Sequence, residues 1–222
     1  MTDRKEVYLL SGLGADRRVF DFLDLKEFKT TNIEWTPLRE DETIESYAKA
    51  LLAQIHAENP ILIGVSFGGV ISIEIGKLIR TERIIQISSI QTSDELPVQN
   101  KWIGWFKLNK LIPASLFNKV NDGLYWFFGV ETKSEKKLLK SIIEESDPDF
   151  LKWGIDQLLN WKNEVKLPNV TTIHGTEDRV FPDKRGNFNI EGGGHLMIIN
   201  RSDEISRIIK DIIDKNKTSE KG

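Results

Sequence analysis

A single serine interrupts an almost wholly apolar stretch of the chain. The stretch is ILIGVSFGGV, residues 61 to 70, in which Gly64 and Gly68 flank Ser66. This G-x-S-x-G pattern exposes a serine hydroxyl on a sharp strand-to-helix turn, which closes only where the flanking residues lack a Cβ atom. The first free N–H groups of the helix, including that of Phe67, would face an anion forming beside the hydroxyl. The pattern predicts a nucleophile; the alternative is a turn in which Ser66 only caps the helix.

A serine hydroxyl is a weak nucleophile at neutral pH and needs a general base. The chain has three histidines. His195 follows three glycines and precedes the last predicted helix, so a loop could bring its imidazole over the sheet edge. His56 lies on a predicted helix, where a partly exposed structural side chain is expected. His174 ends a predicted strand, where a buried side chain supporting the next loop is expected. His195 is therefore the predicted base; the alternative is a histidine that faces solvent from the loop.

An acid is needed to orient that base, and it should lie between the serine and the histidine in the chain. Asp178, in HGTEDRVFP, comes just beyond a predicted strand. Glu177 and Asp183 are competitors, and either could instead be a solvated loop charge. The other position for such an acid, after the preceding strand, holds Ser88 and Ser89. Asp178 is the predicted acid.

Alternating hydrophobic periods predict the elements that position these residues. Apolar runs predict short strands over residues 6–10, 31–37, 61–65, 83–89, 169–175 and 187–191. Helical spacings separate most of them, which indicates an α/β fold: a mostly parallel sheet of about six strands with helices on both faces. In such a sheet ligands bind at the carboxyl ends of the strands, where Ser66 and Asp178 are expected.

One segment breaks the alternation. Residues 92–165 show helical patterns without a strand signal and contain five of the six tryptophans. We interpret 92–165 as a helical cap inserted into a core of residues 1–91 and 166–222. Four tryptophans are candidate substrate-binding residues above the serine: Trp102, Trp105, Trp126 and Trp153. The alternative is that these rings pack against the edge of the sheet.

Composition narrows the class of partner. The formal net charge is −3, which leaves no basic surplus for a nucleic-acid backbone. The absence of cysteine excludes disulfides and thiolate metal sites. The sequence has no apolar run of about 18 residues and no signal-peptide pattern. A soluble, cytoplasmic protein acting on a small molecule is expected, and its oligomeric state is not predicted.

The motifs GVSFGG, HGTEDRVFP, GGGHLMI and SGLGAD together resemble the α/β-hydrolase superfamily in its serine-nucleophile branch. The resemblance covers nearly the whole chain, with the intervening elements in the family's order. It implies Ser66 as nucleophile, His195 as general base and Asp178 as the acid that orients it. It further implies an oxyanion hole formed by the N–H groups of Leu13 and Phe67. No metal or organic cofactor is implied.

Two departures from the family pattern affect what the resemblance predicts. Ser11 stands where the family frequently has a histidine before the oxyanion-loop glycine, so this loop should be held differently. The chain also begins at what would be the family's third strand, so the sheet should be a reduced one.

The activity implied is hydrolysis of an ester or thioester of a small, apolar substrate through an acyl-enzyme. Two alternatives stay open, since a fold does not determine function. One is a ligand-binding receptor with negligible turnover. The other is a lyase or a carbon–carbon bond hydrolase that uses the same triad.

Overall fold

Six parallel strands form the sheet in a computed structural model that describes residues 4–97, 120–182 and 186–214. The strands are β1 Glu6–Leu10, β2 Lys29–Asn32, β3 Ile61–Val65, β4 Arg83–Ile87, β5 Val170–Gly175 and β6 Phe188–Ile190. Their order in the sheet is β2-β1-β3-β4-β5-β6, and every pair is parallel. The predicted α/β class and six-strand sheet are confirmed. The strand order reverses between β1 and β3, and ligands of open sheets bind at such a point.

The second strand lies earlier in the chain than predicted. The prediction placed it over 31–37, but β2 ends at Asn32. One further hydrogen bond, from the Ile33 N–H to the Leu9 carbonyl at 2.9 Å, follows before the chain leaves the sheet. Ile33 is buried, and Trp35 packs against the same apolar cluster. These two residues make the segment 31–37 look apolar in the sequence, although neither belongs to strand β2. An edge strand with mostly exposed side chains has little hydrophobic signal of its own.

Helices cover both faces of the sheet because neighbouring strand residues point to opposite sides. They are α1 Ile44–Leu51, α2 Phe67–Leu78, α6 Met197–Asn200 and α7 Ser202–Asp214. Leu62 packs with α1 and α2 on one face. Ile61 and Ile63 pack with α7 on the other. The sheet is thus buried between two apolar layers, which explains the nearly continuous apolar runs of β3 and β4.

Three further helices lie between β4 and β5. They are α3 Asp122–Phe128, α4 Lys133–Glu145 and α5 Pro148–Leu159. Helix α5 begins after Asp147, whose carboxylate accepts hydrogen bonds from the N–H groups of Asp149 and Phe150. Within 92–165, the described residues contain no strand. None of the helices described in the chain is long and apolar enough to cross a membrane.

Candidate active site

Ser66 occupies a strained turn between β3 and α2. Its φ of 51° and ψ of −118° are unusual for a residue with a side chain. A Cβ atom on Gly64 would lie 2.4 Å from the Gly68 carbonyl oxygen, and one on Gly68 would lie 2.2 Å from the Leu10 carbonyl oxygen. Both contacts are with backbone atoms, which cannot move aside. The turn therefore requires glycine at the two positions that define the sequence pattern.

The Ser66 hydroxyl points to a histidine and makes no capping hydrogen bond to α2. Its Oγ lies 2.9 Å from Nε2 of His195. The backbone of Ser66 is fixed on both sides: its N–H donates to the Ile87 carbonyl at 3.0 Å, and its carbonyl accepts from the Ser89 hydroxyl at 2.7 Å. The helix-capping alternative does not describe this geometry.

The imidazole of His195 joins this serine to Asp178. Its Nδ1 lies 2.9 Å from Oδ2 of Asp178 and 3.1 Å from Oδ1. Because a carboxylate only accepts hydrogen bonds, Nδ1 carries the proton and Nε2 presents its lone pair to the hydroxyl. Both side chains are buried, at 3% and 4% exposure. Oδ1 also accepts from the N–H groups of Val180 and Phe181, at 2.8 and 3.0 Å.

The surroundings keep Asp178 ionised. Burial raises the pKa of the Asp178 carboxyl, but the charge and hydrogen bond of His195, the Phe181 N–H and the charge of His174 outweigh it. The net pKa is below the usual value of an aspartate. A carboxylate is therefore present beside the imidazole at neutral pH.

Of the two competing carboxylates, the one that the structure describes, Glu177, is not part of this cluster. The Glu177 side chain is exposed, although its backbone continues the same loop. Asp183 lies outside the described residues. The alternative position for the acid, after β4, holds Ser88 and Ser89. Ser88 is buried, and the Ser89 hydroxyl donates to the Ser66 carbonyl.

The other two histidines differ in burial. His174 is buried, and its Nε2 donates to the Phe181 carbonyl at 2.6 Å, so it supports the loop that carries Asp178, as expected. His56 is exposed, but its predicted place on a helix was wrong. Helix α1 ends at Leu51, and a short 3-10 turn over Leu52–Gln54 separates it from His56.

The loop after β1 runs beside the serine. A Cβ on Gly12 would lie 3.4 Å from the Cβ of Ser66. The Ser11 hydroxyl donates to the Ala15 carbonyl at 2.8 Å and closes this loop. Among the described residues, the N–H groups of the predicted pair, Leu13 and Phe67, donate no hydrogen bond.

An apolar cavity of about 400 Å³ opens above the serine. Its walls include Leu13, Phe67, Phe127, Phe128, Leu151 and Phe181. Apart from Ser66 and His195, every described side chain that lines it is apolar. A separate cavity of about 460 Å³ lies beyond Gly14 and includes several acidic side chains, but neither Ser66 nor His195. The first cavity is therefore the one that can hold a reacting substrate.

Of the predicted tryptophans, the two that the structure describes, Trp126 and Trp153, do not line this cavity. The ring of Trp126 is 63% exposed and packs against the Arg179 guanidinium, 4.5 Å from the ring centroid. The Trp153 ring lies 4.8 Å from that of Tyr47, and its indole N–H donates to the Glu42 carbonyl at 2.8 Å. Trp153 thus belongs to an aromatic cluster on the core. Trp102 and Trp105 lie outside the described residues.

Residues that the sequence analysis did not single out form the cavity walls instead. Leu151, Ile155 and Leu158 of α5 line it together. Their spacing of i, i+4 and i+7 is typical of one helix face, so the signal was present. Leu124, Phe127 and Phe128 of α3 also line it with helical spacing, i, i+3 and i+4, whereas Phe181 lies in a loop without a periodic pattern. Large ring size was the wrong criterion, because helix orientation decides which residues face the cavity.

Comparison with solved structures identifies the fold. Solved structures similar to the chain include a candidate lipase from Acinetobacter baumannii, with a TM-score of 0.72 and 15% identity over 99% of this chain and 86% of that one. A thermophilic esterase from Thermogutta terrifontis has a TM-score of 0.71 and 14% identity over 95% and 90% of the two chains. For a meta-cleavage product hydrolase from Pseudomonas fluorescens, the TM-score is 0.63 and the identity 17%, over 96% and 92%. No protein-family model and no curated protein matches the sequence. The chain has the α/β-hydrolase fold.

Proposed function

We propose that this protein is a serine hydrolase that cleaves a carboxylic ester or thioester of a small, apolar substrate. The observation that carries the proposal is the unbroken hydrogen-bonded series from Ser66 through His195 to Asp178 at the base of the apolar cavity. The similar structures described as a lipase, an esterase and a hydrolase support the same general class.

In the proposed reaction His195 acts first as a base and then as an acid. It takes the Ser66 proton while Oγ attacks the substrate carbonyl, and the N–H groups of Leu13 and Phe67 stabilise the oxyanion. The imidazolium then gives the proton to the leaving alcohol or thiol, and the acyl group stays on Oγ. A water molecule, deprotonated by the same imidazole, releases the carboxylic acid. Asp178 holds the imidazole tautomer and stabilises its charged form.

The walls of the cavity suggest what the acyl group should be. A charged group placed there would lose its hydration without gaining a partner among the described side chains, whereas apolar carbons would lose only contact with water. In this proposal residues 92–165 form a cap, and its described helices supply much of the wall. We propose a neutral, apolar acyl group longer than acetyl.

The proposed nucleophile is tested directly with a fluorophosphonate probe, which labels only an activated serine. We expect wild-type protein to be labelled and Ser66→Ala to be unlabelled. Ser134→Ala, which removes an exposed serine of α4, is the matched control and should label like wild type. Wild-type protein that stays unlabelled would favour the receptor alternative.

The proposed acyl preference is tested with aryl esters of two to ten carbons. Each buried methylene contributes up to about 0.8 kcal/mol, or roughly fourfold in kcat/KM, until the cavity is full. We expect kcat/KM to rise at least about tenfold from acetyl to hexanoyl on this basis. A flat or falling series contradicts the apolar acyl site. Analysis of the products separates hydrolysis from lyase or carbon–carbon cleavage.

A further inference from the structure

The end of helix α3 touches the loop that carries His195. The Leu196 N–H donates to the Phe128 carbonyl at 3.1 Å. Directly after the helix, Gly129 has a φ of +69°, and a Cβ atom on it would lie 2.9 Å from the Cα of Gly194. The two segments therefore meet backbone to backbone, at a distance that only glycine allows.

The Phe128 ring also contacts the imidazole. Its centroid lies 5.4 Å from that of His195, with the planes at 72°, and the Phe181 ring lies at 5.5 Å and 67°. Both are edge-to-face contacts. The hydrogen bonds at Nδ1 and Nε2 hold two atoms of the imidazole, but a small rotation about the Cβ–Cγ bond can tilt the ring while lengthening them only slightly. Contacts with neighbouring rings are what restrain that tilt.

The same helix is tied to the loop of the acid. Nη1 of Arg179, the residue after Asp178, donates to the Trp126 carbonyl at 2.7 Å. The Arg179 guanidinium also stacks on the Trp126 ring. One short helix from the inserted segment thus contacts both loops that carry the partners of the serine.

From these contacts we propose that Phe128 is a positioning residue for His195, so that the triad is aligned only while α3 is in place. The proposal rests on the proposed hydrolase function. It gives Phe128 a role beyond lining the cavity: the ring fixes the tilt of the base and so affects the chemical step, even for substrates too short to fill the cavity.

The kinetic test compares Phe128→Ala with two other variants on acetyl and hexanoyl aryl esters. We expect Phe128→Ala to lower kcat at least about tenfold on both esters, because misplacing a catalytic group by about 1 Å can cost 10²-fold. KM for the acetyl ester should stay within about twofold. Phe128→Leu, which keeps most of the apolar contact, should recover part of the lost kcat. Tyr125→Ala removes another half-buried ring from α3, one that packs against the Lys136 ammonium group, and should leave the acetyl kcat unchanged.

Two kinetic outcomes would overturn the proposal. An unchanged acetyl kcat in Phe128→Ala, with only the hexanoyl KM raised, would make Phe128 a wall of the cavity and nothing more. Equal losses in Phe128→Ala and Tyr125→Ala would mean that the packing of α3 as a whole matters. Thermal unfolding of each variant checks that it is folded.

A spectroscopic test does not depend on turnover. Since the chain has three histidines, ¹⁵N-histidine labelling gives three imidazoles, and the variant His195→Ala assigns the one of interest. The proton on Nδ1 should resonate downfield in wild type and in Tyr125→Ala, and should broaden or disappear in Phe128→Ala. An unchanged signal in Phe128→Ala contradicts the proposal. If wild-type protein neither labels with the probe nor cleaves any ester, the proposed function fails, while this measurement still decides whether Phe128 positions the imidazole.

Discussion

At the scale of single residues, the negative charge of Asp178 sets how the site responds to pH. The pKa of this carboxyl lies below its usual value, so it does not titrate in the range where an imidazole does. Loss of activity on the acid side should therefore follow protonation of the base, which must be neutral to accept the serine proton. The carboxylate favours the imidazolium, and removing it should favour the neutral ring.

In Asp178→Asn we expect the acid limb of kcat/KM to move to lower pH, because the imidazolium loses its counter-charge. We also expect kcat to fall by up to about 10⁴-fold, because the amide favours the wrong imidazole tautomer. The measurement is the pH profile of kcat/KM from pH 4 to 9.

The neighbouring residue supplies the control. Glu177→Gln removes an exposed charge one position away and should shift neither kcat nor the profile by more than a small amount. An acid limb that stays in place in Asp178→Asn, or a crippled Glu177→Gln variant, would contradict the assignment of the acid.

At the scale of elements, the turn between β3 and α2 that carries Ser66 depends on the close approach of α2 to the end of β1. A Cβ atom on Gly68 would clash with the backbone carbonyls of Leu10 and Ser11, at 2.2 and 2.3 Å. Side chains can rotate away from such a contact, but strand carbonyls in a buried sheet cannot. The helix would have to shift and would carry Ser66 with it.

We therefore expect Gly68→Ala to lower the free energy of unfolding by about 1–3 kcal/mol or more, the usual cost of overpacking. Esterase activity should be lost as well. Gly123→Ala is the matched control, because its added Cβ would meet only the Asn121 side chain, at 3.2 Å, on an exposed helix. Urea unfolding of the two variants provides the comparison. Equal stability of both would show that the clash is relieved at little cost.

The elements of the site were more predictable than its walls. The turn at Ser66, the loop of Asp178 and the glycines before His195 each depend on local constraints. Such constraints leave a pattern in the sequence, such as a glycine, an apolar run or a turn signal. The faces of the inserted helices depend on how the helices pack. Trp126 and Trp153 therefore looked like cavity residues, whereas the structure exposes the first to solvent and packs the second, half-buried, against the core. The early end of β2 has a similar cause, since an edge strand carries little apolar signal.

At the scale of the whole molecule, Ser66 and His195 of the candidate triad follow strands at different positions in the sheet, one central and one at the edge. Ser66 follows β3, which pairs with a neighbour on each side. His195 comes after β6, the three-residue strand at the end of the described sheet, which pairs with β5 through only three residues. The candidate nucleophile thus follows a central strand of the sheet, and its candidate base follows a strand at the sheet's edge.

This arrangement has a consequence for local stability. Marginal strands open more readily than central ones, and such openings need not involve the rest of the fold. We expect amide hydrogens of β6 to exchange faster than those of β3, and esterase activity to disappear at a lower urea concentration than the global unfolding transition. Activity and structure lost together would contradict this. The time for which the protein stays active would then depend on how long the three residues of β6 remain paired with β5. Reinforcing the β5–β6 pair should therefore prolong activity without any change to the chemistry.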